Sequence, residues 1–137
     1  GIRAADTDIT GGQISLDGYR SVAEQLVERF GVQKVAITLR GSISASDNDW
    51  AGMLYSDGKA CFSHNYRVHI VDRVGGGDSF GGGLIYALLN GYDQQKTIDF
   101  AVAASCLKHS VEHDFNMCSV AEVESLAGGN ASGRVQR

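Results

Sequence analysis

One stretch restricts this chain more than any other: Asp72-Arg73-Val74-Gly75-Gly76-Gly77-Asp78-Ser79-Phe80-Gly81-Gly82-Gly83-Leu84. The apolar run Val68 to Val71 feeds three consecutive glycines, and beyond Asp78 apolar residues return at Phe80, Leu84, Ala87 and Leu88. That order predicts a strand, a glycine turn and a helix from Ser79 to about Leu89, closed by Asn90-Gly91. Residues without Cβ let the backbone turn sharply and bring its N–H groups close to a ligand, and a helix start offers unpaired N–H groups at the positive end of its dipole. Gly75, Gly76 and Gly77 therefore form a candidate anion site suited to phosphate.

Asp78 has two readings. Aspartate is a favoured N-cap and stabilises a helix start by about 1 kcal/mol. A carboxylate fixed beside a phosphate cradle can instead serve as a general base toward an attacking hydroxyl.

Around this centre the periodicities describe alternating helices and strands. Leu16, Tyr19, Val22, Ala23, Leu26, Val27 and Phe30 give a helix that Ser15 can cap and Gly31 can close. Val35 to Leu39 reads as a short buried strand, which after a helix suggests half of a parallel α/β unit. Residues 43–49 read as a polar loop. Trp50 to Tyr55 leads into Ser56-Asp57-Gly58, a hairpin signal, with antiparallel strands continuing to Val71. A helix from about Gln94 carries Ile98, Ala101, Val102 and Ser105 on one face, and its small residues permit close approach of a neighbour. Ser119-x-x-Glu122 is a capping box for a short helix to about Ala127, ended by Gly128-Gly129. Residues 1–13 read as an irregular lead-in and 130–137 as a frayed tail, whose Asn130-Ala131-Ser132 is a chance sequon.

The glycine stretch resembles the C-terminal signature of the ribokinase-like (PfkB) carbohydrate kinases, Asp-Thr-x-Gly-Ala-Gly-Asp followed by small residues and an apolar helix. Asp72, Gly75, Gly76, Gly77, Asp78, Gly82, Gly83, Leu84 and Ile85 fit; Arg73 stands where most of the family has threonine. Together with Ile37-Thr38-Leu39-Arg40-Gly41-Ser42 and Asp114-Phe115-Asn116, it is similar to the 2-keto-3-deoxygluconate kinase branch. The resemblance implies an α/β fold, a ribokinase-like three-layer sandwich. It further implies that residues 1–137 form one nucleotide-binding domain, the C-terminal fragment of a larger sugar kinase. ATP or ADP and Mg2+ are then the expected cofactors, and a sugar acid such as 2-keto-3-deoxygluconate the substrate. By position, Thr38, Gly41 and Ser42 are expected phosphate-side contacts and Val102 an adenine wall. Asp78 is the expected base and a substrate contact, and Asp114 a second substrate contact. Arg40 replaces a family glycine and is either a solvated charge or a phosphate clamp. His113 stands where that branch has glycine before the Asp-Phe-Asn. The Asn-x-x-Glu motif that organises magnesium in the family is absent, so this chain by itself is expected to bind nucleotide without turnover. A non-catalytic nucleotide-binding or assembly module is the alternative, and an apolar sheet edge favours pairing of two copies.

Other classes fit poorly. The net charge is −4 with no basic stripe, which argues against nucleic acid. No apolar run approaches the roughly 20 residues of a membrane helix and no signal core is evident, pointing to a cytoplasmic protein. Cys61, Cys106 and Cys118 lack a CxxC spacing and are read as ordinary thiols. His109-Ser110-Val111-Glu112-His113 matches the H-x-x-E-H pattern of zinc peptidases and would hold zinc only if both histidines shared a helical face. A helix ending here would separate them, so no metal ligands are assigned.

Overall fold

A computed structural model describes residues 1–3, 16–42, 44 and 46–129. The expected cap Ser15, residues 4–13 of the lead-in and the tail lie outside the described residues. The elements follow the order α1 (Leu16–Phe30), β1 (Lys34–Ser42), β2 (Asp47–Ser56), β3 (Lys59–Phe62), β4 (Tyr66–His69), α2 (Gly76–Leu89), α3 (Gln94–His109) and α4 (Val120–Ala127).

β2 is the centre of the sheet. β1 pairs along its whole length on one side, while β3 and β4 share the other side, β3 against Met53–Ser56 and β4 against Asp47–Trp50. The hairpin between β2 and β3 closes as its Asp-Gly signal requires, with Asp57 at φ 52 and Gly58 at φ 74. β3 and β4 run in line. From Phe62 to Tyr66 the outer strand takes four steps where β2 takes three from Met53 to Trp50, so one extra residue is accommodated as a bulge. Ser63 ties that bulge down, its N–H donating to the Gly52 carbonyl and its Oγ accepting the Gly52 N–H, both at 2.9 Å.

Every strand pair among the described residues is antiparallel. The short connection from Ser42 to Asp47 folds β1 back on β2 as an antiparallel neighbour, while the other side of β1, where the expected parallel unit at Val35–Leu39 would continue, has no partner among the described residues. β1 is also less enclosed than its apolar run suggested: Val35 is buried, but Thr38 and Arg40 are exposed.

The two sheet faces carry different helices. On one, Ala23 of α1 packs with Val35, Met53 and Tyr55. On the other, Leu54, Cys61, Tyr66 and Val68 meet Phe80 of α2 and Ile98, Ala101, Val102 and Cys106 of α3. A further apolar layer joins Ala87, Phe100, Ala103, Ala104, Leu107 and Val123 across α2, α3 and α4. The result is the expected three-layer α/β sandwich. α3 is buried on all sides from Thr97 to His109, because the sheet covers one flank and α2 and α4 the other. Its alanines serve that enclosure: a Cβ added at Gly83 would lie 3.1 Å from the Ala104 Cβ and 3.2 Å from the Ala101 Cα. The buried stripe of α2 is accordingly Gly76, Phe80, Gly83 and Ala87, whereas Leu88, expected on the core side, is exposed.

Candidate active site

β1 and β4 point the same way on either side of β2, so their C-terminal ends lie together at one edge of the sheet, with Ser42 and Val68 both opposite Asn48. In α/β sheets this edge is where ligands bind. The chain leaving β4 is held there by the end of α3, with the Val71 and Asp72 N–H groups donating to the His109 carbonyl at 2.9 and 3.3 Å. The Asp72 carboxylate then fastens two segments at once. Oδ1 accepts the Val74 N–H at 2.9 Å, and Oδ2 accepts the His113 N–H at 3.0 Å. The Val74 N–H, aided by the His113 N–H and the charges of Lys108 and His113, holds this carboxyl below the usual aspartate value against the opposing effect of burial.

α2 begins at Gly76, three residues before the expected Ser79. Gly75 is the N-cap, in the left-handed region at φ 79 and with no side-chain cap. Asp78 thus lies inside the first turn, which corrects its reading as the cap. Only Gly75 of the three glycines uses a positive φ; Gly76 and Gly77 are helical. Packing explains two of them. A Cβ at Gly75 would lie 2.2 Å from the Asp114 carbonyl oxygen, and one at Gly76 would lie 2.6 Å from the His109 ring. The Gly77 position opens onto free space, with nothing within 4 Å of a Cβ there. The first turn of a helix has no intrahelical acceptors for its N–H groups, so Gly77 and Asp78 present a site for an external acceptor.

Asp78 is exposed and lines a cleft of about 380 Å³ together with Ser79, Tyr86, Asp114, Phe115 and Val120. The two carboxylates singled out in the sequence therefore share one cleft, with apolar and aromatic walls beyond them. Asn116 anchors the loop that brings Asp114 and Phe115 there, its Nδ2 donating to the Ala104 carbonyl at 3.1 Å and its Oδ1 accepting the Cys118 N–H at 3.0 Å. Residues 12–115 match the pfkB family carbohydrate kinase description.

The chain belongs to the pfkB family of carbohydrate kinases.

Solved structures agree. This pfkB-family chain is 47% identical to 2-dehydro-3-deoxygluconokinase from Thermotoga maritima, with a TM-score of 0.83 over 86% of this chain and 36% of that one. A PfkB family carbohydrate kinase from Listeria grayi is 29% identical with a TM-score of 0.74, covering 88% of this chain and 37% of that one. Phosphofructokinase-2 from Escherichia coli, at 17% identity, shares the fold with a TM-score of 0.66 over 88% of this chain and 36% of that one. The chain thus spans little more than a third of the length of these kinases.

Other expected site residues of this pfkB-family chain are placed differently. Thr38 and Gly41 are exposed on β1, outside the cleft that holds Asp78 and Asp114, and Ser42 is the last residue of that strand, at the ligand edge. Val102 is fully buried between Gly52 and the core. Its expected contact with adenine is corrected, since the sheet covers that flank of α3. Arg40 donates from Nε to the Asn48 Oδ1 at 3.0 Å.

The histidine pair fails the geometric condition for zinc. α3 ends at His109, whose Nδ1 donates to the Ser105 carbonyl at 2.7 Å and whose ring packs 4.7 Å from Trp50. Burial, reinforced by the charges of Lys108, Arg73 and Arg40, lowers its pKa and keeps the ring neutral, with the Ser105 bond opposing. His113 lies beyond the helix, exposed, at φ 68. A side chain thus occupies the left-handed conformation a glycine would take there, and its N–H reaches Asp72 all the same.

Two contributors were invisible to pattern reading. Ser105 Oγ donates to the Gly76 carbonyl at 2.8 Å, and Lys108 lies wholly buried beneath Gly75. Neither belongs to a local motif; the only signal was a polar residue at a core-facing position of α3.

Proposed function

We propose that this chain is the ATP-binding part of a carbohydrate kinase that transfers the γ-phosphate to a hydroxyl of 2-keto-3-deoxygluconate, also called 2-dehydro-3-deoxygluconate. The observation that carries this reading is the shared cleft: Asp78 and Asp114 both line it, beside a helix start that has no side-chain cap. Identity of 47% to a 2-dehydro-3-deoxygluconokinase supports the substrate class.

In this reading the nucleotide phosphates accept the N–H groups of Gly77 and Asp78, with Gly75 and Gly76 shaping the turn and Thr38, Gly41 and Ser42 steadying the phosphates from β1. Asp78 takes the proton of the attacking hydroxyl, and Asp114 orients the sugar acid. Tyr86, Phe115 and Val120 give the same cleft its apolar wall. Mg2+ accompanies the nucleotide in such reactions and offsets phosphate charge. The described residues contain no group of three or more His, Cys, Asp or Glu able to hold it, so no step is assigned to this chain through the metal.

This chain alone is expected to bind adenine nucleotide weakly and not to phosphorylate the sugar acid, because positioning supplies most of the catalysis in phosphoryl transfer. Calorimetric titration of the 137-residue chain with ADP tests the reading, and absence of binding overturns it. Turnover of 2-keto-3-deoxygluconate by this chain at a rate typical of kinases would instead overturn its dependence on further residues. The outer side of β1 has no strand partner among the described residues, which supports pairing of two copies; a monomer by light scattering at high concentration would refute that.

A further inference from the structure

The floor of the α2 turn contains a lysine with no accessible surface. Lys108, in the last turn of α3, is 0% exposed. Its Cε lies 3.2 Å from where a Cβ at Gly75 would stand, and its Nζ donates to the Val111 carbonyl oxygen at 3.1 Å. A cation at a helix C-terminus complements the dipole, but an exposed lysine would do that equally well. Burial of an ammonium is unfavourable unless its charge is compensated. The compensation comes from two sides. Val111 supplies a carbonyl from the loop that continues to Asp114, and the Asp72 carboxyl, on the turn that leads into α2, feels the Lys108 charge at longer range. Asp72 in turn binds the N–H groups of Val74 and His113, so both segments bordering the cleft converge on one buried charge.

We propose that Lys108 is a positioning residue for the phosphate site, a fixed cation in its floor that locks the Asp72 turn and the 111–114 loop so that the Gly77 and Asp78 N–H groups face outward. The proposal rests on the nucleotide-binding reading and deepens it. The titratable groups that feel its charge are Asp72 on the turn and His109 on its own helix.

The test replaces the charge but keeps the volume. In Lys108→Met, ADP affinity falls about tenfold while adenosine, which lacks phosphate, binds as in the wild type. Equal losses for ADP and adenosine would mean a merely structural role and overturn the proposal, as would unchanged ADP affinity. A second readout needs no nucleotide: carbon-13 titration of the Asp72 carboxyl moves up in Lys108→Met, and an unmoved midpoint overturns the proposal. Should the methionine variant not fold, Lys108→Gln, which retains a donor for Val111, carries the same comparisons. Failure of the wild-type chain to bind ADP overturns the nucleotide reading together with this inference, whereas wild-type binding with an indifferent variant overturns the inference alone.

Discussion

Two helix starts in this molecule solve the same problem in opposite ways. At α4 the Ser119 Oγ accepts the Glu122 N–H, and the Glu122 carboxylate accepts the Ser119 N–H at 2.7 Å. Its own side chains occupy that helix end. At α2 the cap is Gly75, no side chain closes the turn, and order is imposed from outside by Asp72, Ser105 and the His109 carbonyl. A self-capped end is stable by itself and closed to ligands. An end held from behind keeps its N–H groups available in front, at the cost of depending on tertiary contacts.

The sharpest break in that comparison is chemical. Asp78→Asn, assayed in the active kinase, should lower phosphoryl transfer ~10²- to 10⁴-fold while ADP affinity stays close to wild type, since the amide alters neither the turn nor its N–H groups. Unchanged turnover would reduce Asp78 to a first-turn acid that favours the helix dipole.

Neighbouring glycines separate packing from access. Gly76→Val drives a side chain into the His109 ring and should destabilise the fold by about 1–3 kcal/mol or more. Gly77→Ala meets open space and should stabilise α2 by about 0.5–1 kcal/mol, because alanine loses less backbone freedom in a helix. Calorimetric unfolding reads both, and an ADP titration adds the decisive arm: weaker binding in the more stable Gly77→Ala would place the phosphate against that open face.

Ser119→Ala removes the cap of α4 and should cost about 1 kcal/mol of stability with ADP affinity unchanged. A loss of ADP binding would mean that the two ends are not independent.

The smallest effect is in the pH dependence. Because the folded pKa of Asp72 is depressed, chiefly by the Val74 N–H, its contribution is complete above the ordinary carboxylate value and is lost as pH falls through the folded value. Thermal unfolding from neutral to acidic pH should therefore show a decline that is shallower in Asp72→Asn. Identical slopes would exclude Asp72 as the clamp between turn and loop.

Local chemistry was legible wherever a feature closes over a few residues. Asp57-Gly58 makes its hairpin turn, Gly31 closes α1 at φ 67, and Ser119 with Glu122 makes the capping box, because each depends on backbone geometry and hydrogen bonds within a turn. The glycine run marked the ligand edge for the same reason. What it could not tell was why each glycine is there. Gly75 and Gly76 yield space to Asp114 and His109, more than thirty residues away in sequence, and Gly77 yields it to no residue.

The amino-acid sequence by itself determined the alternation of helices and strands, the glycine turn and the acid within it, since periodicity, turn residues and capping act over single turns of chain. Tertiary structure alone decided that Val102 is sealed beneath the sheet, that Asp78 and Asp114 share a cleft, and that Lys108 lies buried under Gly75. Burial and proximity across long separations are properties of packed layers, and hydropathy carries no record of which neighbour will cover a given side chain.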